Sequence, residues 1–261
     1  MTIFQRIRKS RYHLLSTVLP VVILVAILKT IAHFLHLEVI SKEITMFFPS
    51  ILTGIIFILG FLLAGVVADY KESEKFPSDI AASLFTLWQE AHYLHKVNNS
   101  KTSENLKNKI REFIPLLKYD FFVLQNEKIF ELLERISEDI VQFGKESVIV
   151  NITIRLKTEV SNLKKVLYRI SVIKNTDFIP SVYTSIRVIA IVFLGVTCLL
   201  SIKPWWVGLI EVAIFTTIIF TILYLIKDMD DPFEYDGTDD IKSDEVSLEV
   251  LDHLQKEFER S

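Results

Sequence analysis

Ile44-Thr-Met-Phe-Phe-Pro-Ser-Ile-Leu-Thr-Gly-Ile-Ile-Phe-Ile-Leu-Gly-Phe-Leu-Leu-Ala-Gly-Val-Val-Ala68 is an uncharged run bounded by Glu43 and Asp69. Roughly 20 apolar residues at a helical rise cross a bilayer, and this run is long enough to do so. Thr53, Phe57 and Phe61 stand at i, i+4 and i+8 within it, so they share one helix face. The expected element is a membrane helix with an aromatic stripe. Such a stripe packs on another helix, faces lipid or lines a pore, and spacing alone leaves all three open. Gly54, Gly60 and Gly65 suit any of them, because small residues let helices approach closely.

Three further apolar segments read as membrane spans. Tyr12 to Leu28 is uncharged and continues past Lys29 toward Leu37. Val188 to Ile202 is uncharged between Arg187 and Lys203. Val212 to Ile226 is uncharged and follows Trp205 and Trp206, whose amphipathic rings suit the water interface. A tight Lys203-Pro204 turn separates the last two spans, which therefore form a hairpin. The composition is 51% apolar, yet the charged residues crowd into the ends and the middle of the chain rather than spreading evenly. A formal net charge of -3 argues against a bulk electrostatic partner such as nucleic acid. The lone cysteine, Cys198, lies in the third span and reads as a small apolar packing residue. The first segment is too long for a cleaved signal peptide and lacks a small-residue cleavage site.

Orientation follows from the flanks, because short segments rich in Lys and Arg stay cytoplasmic. Arg6, Arg8, Lys9 and Arg11 precede the first span, whereas the loop before the second offers Lys42 with Glu38 and Glu43. Both termini are therefore expected in the cytoplasm. The expected divisions are a cytoplasmic N-terminus at 1–12, two spans in 13–69, a cytoplasmic helical domain at 70–181, the hairpin in 182–226 and an acidic tail at 227–261. The sequons at Asn98 and Asn151 fall in the cytoplasmic part and read as chance matches. Within that part, Leu106, Ile110, Phe113, Leu117 and Phe121 recur at helical spacing, as do Ile129, Leu133, Ile136, Ile140 and Phe143. A third stripe, Ile149, Ile152, Leu156, Val160, Leu163, Leu167 and Ile170, reads as a long helix leading into the third span. Lys157, Lys164 and Lys165 on its other face are expected in water.

Three short matches then appear in family order. Phe57-Ile58-Leu59-Gly60-Phe61, followed by Val66-Val67, Glu74 and Pro77, resembles the pore helix of bestrophin channels and the turn after it. Asp177-Phe178-Ile179-Pro180 and Val182-Tyr183-Thr184 resemble bestrophin elements ahead of the third span. Asp231-Pro232-Phe233 resembles the segment after the fourth. What the resemblance implies is an all-α membrane protein with four spans and a cytoplasmic helical domain, assembled as a homopentamer around a pore. On that reading the hydrophobic neck falls on Phe57 and Phe61, with Thr53 one turn outward where the family usually has an aliphatic residue. Five aromatic rings would gate by excluding water.

The resemblance also implies mostly anion conduction, with chloride favoured, although some prokaryotic members favour cations. Asp69 stands where the family usually has an arginine near the cytoplasmic end of the pore helix, and a ring of carboxylates favours cations. Lys29 reads as snorkelling to the interface, or else as facing an outer vestibule. Glu211 is a candidate partner for Lys29 or Lys203. The tail carries Asp228, Asp230, Asp231, Glu234, Asp236, Asp239 and Asp240, and Asp236 and Asp239 fall on the positions of the calcium clasp of animal bestrophins. The alternative is a solvated acidic linker. Val246, Val250, Leu251, Leu254 and Phe258 have helical spacing and are expected to dock on the cytoplasmic domain of the same or an adjacent subunit. Glu90, His92 and His95, like His33, His36 and Glu38, lack the further ligands a metal site needs. Catalytic motifs are missing, so no enzyme activity is expected. The expected setting is a bacterial plasma membrane, with self-association, lipid and inorganic ions as partners. A membrane-anchored signalling or scaffold protein is the competing reading.

Overall fold

The computed structural model describes residues 13–38, 47–98, 100–123, 127–146, 148–175, 180–230, 232–233 and 246–260. The described elements are helices: α1 (His13–Phe34), α2 (Phe48–Ser73), α3 (Phe76–Asn98), α4 (Lys101–Val123), α5 (Glu127–Lys145), α6 (Val150–Asn175), α7 (Pro180–Cys198), α8 (Trp205–Asp230) and α9 (Glu249–Arg260). They divide into two compact units, Met1–Tyr70 with Asp177–Asp231 and Lys71–Thr176 with Pro232–Ser261.

The first unit holds the apolar helices. A backbone in hydrocarbon must satisfy its polar groups internally, and the helix does this within one segment. Of these, α1, α2 and α8 each contain a stretch long and apolar enough to cross a membrane, while the apolar helix of α7, Tyr183–Cys198, is shorter. Ile55, Leu59, Leu62 and Val66 form the buried face of α2. They share a core with Ile186, Ala190, Phe193 and Leu194 of α7 and with Ile219, Leu223 and Ile226 of α8. Helix α1 packs mainly on α8 and leaves Leu24, Ile27 and Phe34 exposed. Its end is a Schellman cap with a histidine in the left-handed position. His36 has φ 56°, its N–H donates to the His33 carbonyl at 3.1 Å, and the Leu37 N–H donates to the Ala32 carbonyl at 2.9 Å.

The second unit is a four-helix bundle. Its consecutive helices α3, α4, α5 and α6 pack pairwise, α6 returns to α3, and α9 lies on α3 and α4. Leu106, Ile110, Phe113 and Leu117 are buried as their spacing requires, as are Ile129, Leu133, Ile136, Ile140 and Phe143. The side chain of Phe121 lies outside the described residues. In the third stripe Leu156 through Ile170 are buried, but Ile149 is exposed and Ile152 only partly covered. The bundle core begins one turn later than the apolar pattern. Helix α6 is described to Asn175 and α7 from Pro180, and the join expected between the stripe helix and the third span lies outside the described residues. Lys157 and Lys165 are exposed, while Lys164 pairs with Glu134 at 2.5 Å. Ser100 caps α4, accepting from the N–H groups of Thr102 at 3.1 Å and Ser103 at 3.3 Å. Ser100 Oγ and Thr102 Oγ1 both donate to Glu146 at the end of α5.

Candidate pore-lining face

Helix α2 has two unlike sides. Leu59 is fully buried, yet Phe57 and Phe61 are 75% and 71% exposed. Thr53 is exposed on the same side, and its hydroxyl donates to the Pro49 carbonyl at 2.8 Å, which satisfies a polar group that apolar surroundings would otherwise penalise. A Cβ built on Gly54 or Gly60 meets nothing within 4 Å. These glycines therefore make no close helix contact among the described residues. The three stripe residues come together on one face that none of the described residues covers. Asp69, at the end of the run, is half-buried.

Lys29 corrects both readings of its position. It is 1% exposed, so it neither snorkels nor faces a vestibule. Its ammonium donates to Glu38 Oε1 at 2.8 Å, to the Cys198 carbonyl at 3.2 Å and to the Leu200 carbonyl. The ion pair is with Glu38, not Glu211. The other Glu38 oxygen lies 3.1 Å from His33 Nδ1, and His33 stacks on Trp205 at 5.3 Å. Burial pushes the Glu38 carboxyl up, but its bonds to Lys29 and His33 win and hold it below the ordinary carboxylate value. The left-handed turn at His36 folds Glu38 back over the last turn of α1. Gly208 makes room, since a Cβ there would lie 3.4 Å from Lys29 Cε and 3.2 Å from Ile202 Cβ. A charged pair flanking a short reverse turn was the available signal. Cys198 is buried and free.

Glu72, beyond the uncharged run, and Arg169 of α6 form a bidentate pair in the second unit. Arg169 Nε donates to Oε1 at 2.9 Å and Nη2 to Oε2 at 2.8 Å. The guanidinium holds the Glu72 carboxyl below its usual value. Beside the pair opens a cavity of about 770 Å³ lined in part by Phe76, Glu159, Lys165 and Tyr168. Glu159 accepts from Ser83 at 2.9 Å, so this carboxylate too is engaged within the unit. Phe233 is buried and stacked on Phe76, a placement its motif did not disclose. In the tail, Asp236 and Asp239 lie outside the described residues. Among the described residues no group of three or more His, Cys, Asp or Glu side chains is placed to hold a metal.

These helices and the bare aromatic face define the class, an all-α membrane protein with a helical bundle as its second unit. No protein-family model matches the sequence, and no curated protein does. Solved structures do match in fold. A variant of a bacterial bestrophin homolog from Klebsiella pneumoniae is similar at TM-score 0.74 and 13% identity, over 94% of this chain and 96% of that one. A second variant of it is similar at TM-score 0.73 and 13% identity, over 91% and 96%. A structure described as a membrane protein is similar at TM-score 0.74 and 12% identity, over 93% and 97%. The chain has the bestrophin fold.

Proposed function

We propose that this chain is a bestrophin-type ion channel, conducting ions passively through the centre of a ring of its own copies. The observation that carries the reading is the exposure of Phe57 and Phe61 on a helix whose other face is packed inside the protomer. Two large aromatic side chains on one bare face need a partner surface, a lipid surface or a pore, and the fold likeness favours the pore. Arranged in a ring, Phe57 and Phe61 form a hydrophobic neck with Thr53 at its outer, wetter end, and such a neck gates by dewetting. Thr53, Phe57 and Phe61 are the proposed lining, and Asp69 closes the uncharged run of the same helix. The ring is a homopentamer in a bacterial plasma membrane, with both termini in the cytoplasm. Chloride is the favoured ion from the resemblance, and the Asp69 carboxylate is the feature that opposes it.

Bilayer recording of the purified protein in asymmetric salt tests conduction and its sign together. A reversal potential at the chloride equilibrium value supports the anion reading. One at the cation value transfers selectivity to the Asp69 ring, and absence of current ends the channel reading.

A further inference from the structure

In the second unit, Lys107 and Arg111 come together without an ion pair among the described residues. Lys107 and Arg111 stand at i, i+4 on α4 and lie over the same indole, that of Trp88 on α3. Lys107 Nζ is 4.6 Å and Arg111 Cζ 4.8 Å from the ring centroid. Trp88 is buried and stacks on Phe258 of α9 at 4.6 Å, so three helices meet here. Lys107 Nζ lies 3.4 Å from His92 Nδ1, a bond that the neutral imidazole can accept. Arg111 gives its Nε proton to the Phe258 carbonyl at 3.0 Å, and its other N–H groups have no partner among the described residues. Neither Lys107 nor Arg111 makes an ion pair among the described residues. Lys96 and Glu104 also act on Lys107, Lys96 and His95 act on His92, and Glu104 is the one negative group among these; from α9, Glu257 and Glu259 flank the Phe258 carbonyl that Arg111 holds.

The cluster is strained electrostatically as it stands. Burial, followed by the neighbouring Arg111 charge, pushes the Lys107 amine down, and burial with Lys96 and Lys107 does the same to His92. An anion between Lys107 and Arg111 would remove that repulsion. A single carboxylate offsets one charge, whereas a phosphate group presents more charge and several acceptor oxygens to an ammonium and a guanidinium fork. The Trp88 ring is already covered by Phe258 and the two cations, which leaves no aromatic platform for a nucleobase. We propose that the junction of α3, α4 and α9 binds a phosphate-type oxyanion, inorganic phosphate or the phosphate of a small monoester, through Lys107 and Arg111, with His92 joining as a donor when protonated.

The test is calorimetric titration of the full chain in detergent micelles at low ionic strength. Inorganic phosphate and glycerol 3-phosphate distinguish the free ion from the monoester. Inorganic sulfate, whose charge is constant between pH 7.5 and 6.0, reads the contribution of His92. The expected result is saturable binding below about 1 mM, weakened at least about tenfold in Lys107→Met. Sulfate should bind more tightly at pH 6.0 than at 7.5, and His92→Gln should abolish that difference. No saturable binding of phosphate, monoester or sulfate, equal affinity in Lys107→Met, or sulfate affinity independent of pH would each overturn the site. If Lys107→Met does not fold, the His92→Gln comparison alone decides.

Discussion

Lys29 stands near the end of an apolar helix with its amine held by one carboxylate and two backbone carbonyls. Removing one partner of a buried pair leaves the other charge uncompensated, which costs about 3–5 kcal/mol. Lys29→Ala is therefore expected to lower the thermal midpoint in micelles sharply, and adding Glu38→Gln to recover part of the loss. An additive double mutant would show that the two residues do not act together. The position of Lys29 near a helix end was plain from the sequence, but its partner was not. Glu38 reaches it only because His36 takes a left-handed conformation and Gly208 leaves space across the unit. Phe57 and Phe61 contrast with this. Their shared face follows from helical periodicity, whereas their exposure on it, which spacing left open, comes from the packing of the other face of α2. In the channel reading, Phe57→Ala with Phe61→Ala widens and wets the neck, so reconstituted currents should rise. Unchanged currents would remove both residues from the conduction path.

The elements of the second unit are joined by pins that differ in kind. Glu72 and Arg169 tie the last turn of α2 to α6 by a fork-to-fork contact in which each side chain is 42% exposed. Solvent screens such a pair, and it is worth at most about 1 kcal/mol. Its sign is nevertheless defined. The Glu72 carboxyl is held below its ordinary value of 4.5, so the stabilisation is complete above that pH and disappears as the pH falls through the lowered value. Glu72→Gln should flatten this part of the acid limb of a stability-pH curve while leaving stability at pH 7 little changed. Helix α9 is held differently, by Leu251, Leu254 and Phe258 in the core, by the Lys118–Asp252 pair and by Arg111 on the Phe258 carbonyl. Phe258→Ala removes a fully enclosed ring from against Trp88, a loss of about 3–5 kcal/mol. Hydrogen exchange should then quicken throughout α9 while the interiors of α5 and α6 stay protected. Uniform quickening across the bundle would mean that α9 is integral to its fold. The stripe of α9 was legible from spacing, except that Val250 proves 46% exposed. Its attachment to α3 and α4 was not, because periodicity says which face is apolar and not what covers it.

At the scale of the whole molecule, apolar surface that no element covers is the dominant feature of the first unit. Phe57 and Phe61 on α2 and Leu24, Ile27 and Phe34 on α1 are all exposed. Hydrocarbon tolerates such surface, so its extent alone does not demand assembly. A pore does, because a heterologous contact must close into a ring. On the proposed homopentameric channel reading, native mass measurement in micelles gives a single closed oligomer of five copies, and a monomer or two-fold dimer would remove the central pore. The sequence by itself determined the apolar helices, the aromatic face of α2 and the three core stripes of the bundle, because these depend on local periodicity and on the length of uncharged runs. Only the tertiary structure decided that Lys29 is enclosed with Glu38, that Phe233 stacks on Phe76, and that Lys107 and Arg111 meet over Trp88. Those contacts join residues far apart in the chain or across a turn of unusual backbone, and their geometry is set by how whole helices pack. A one-dimensional pattern records which face of a helix is apolar. It does not record which face it meets.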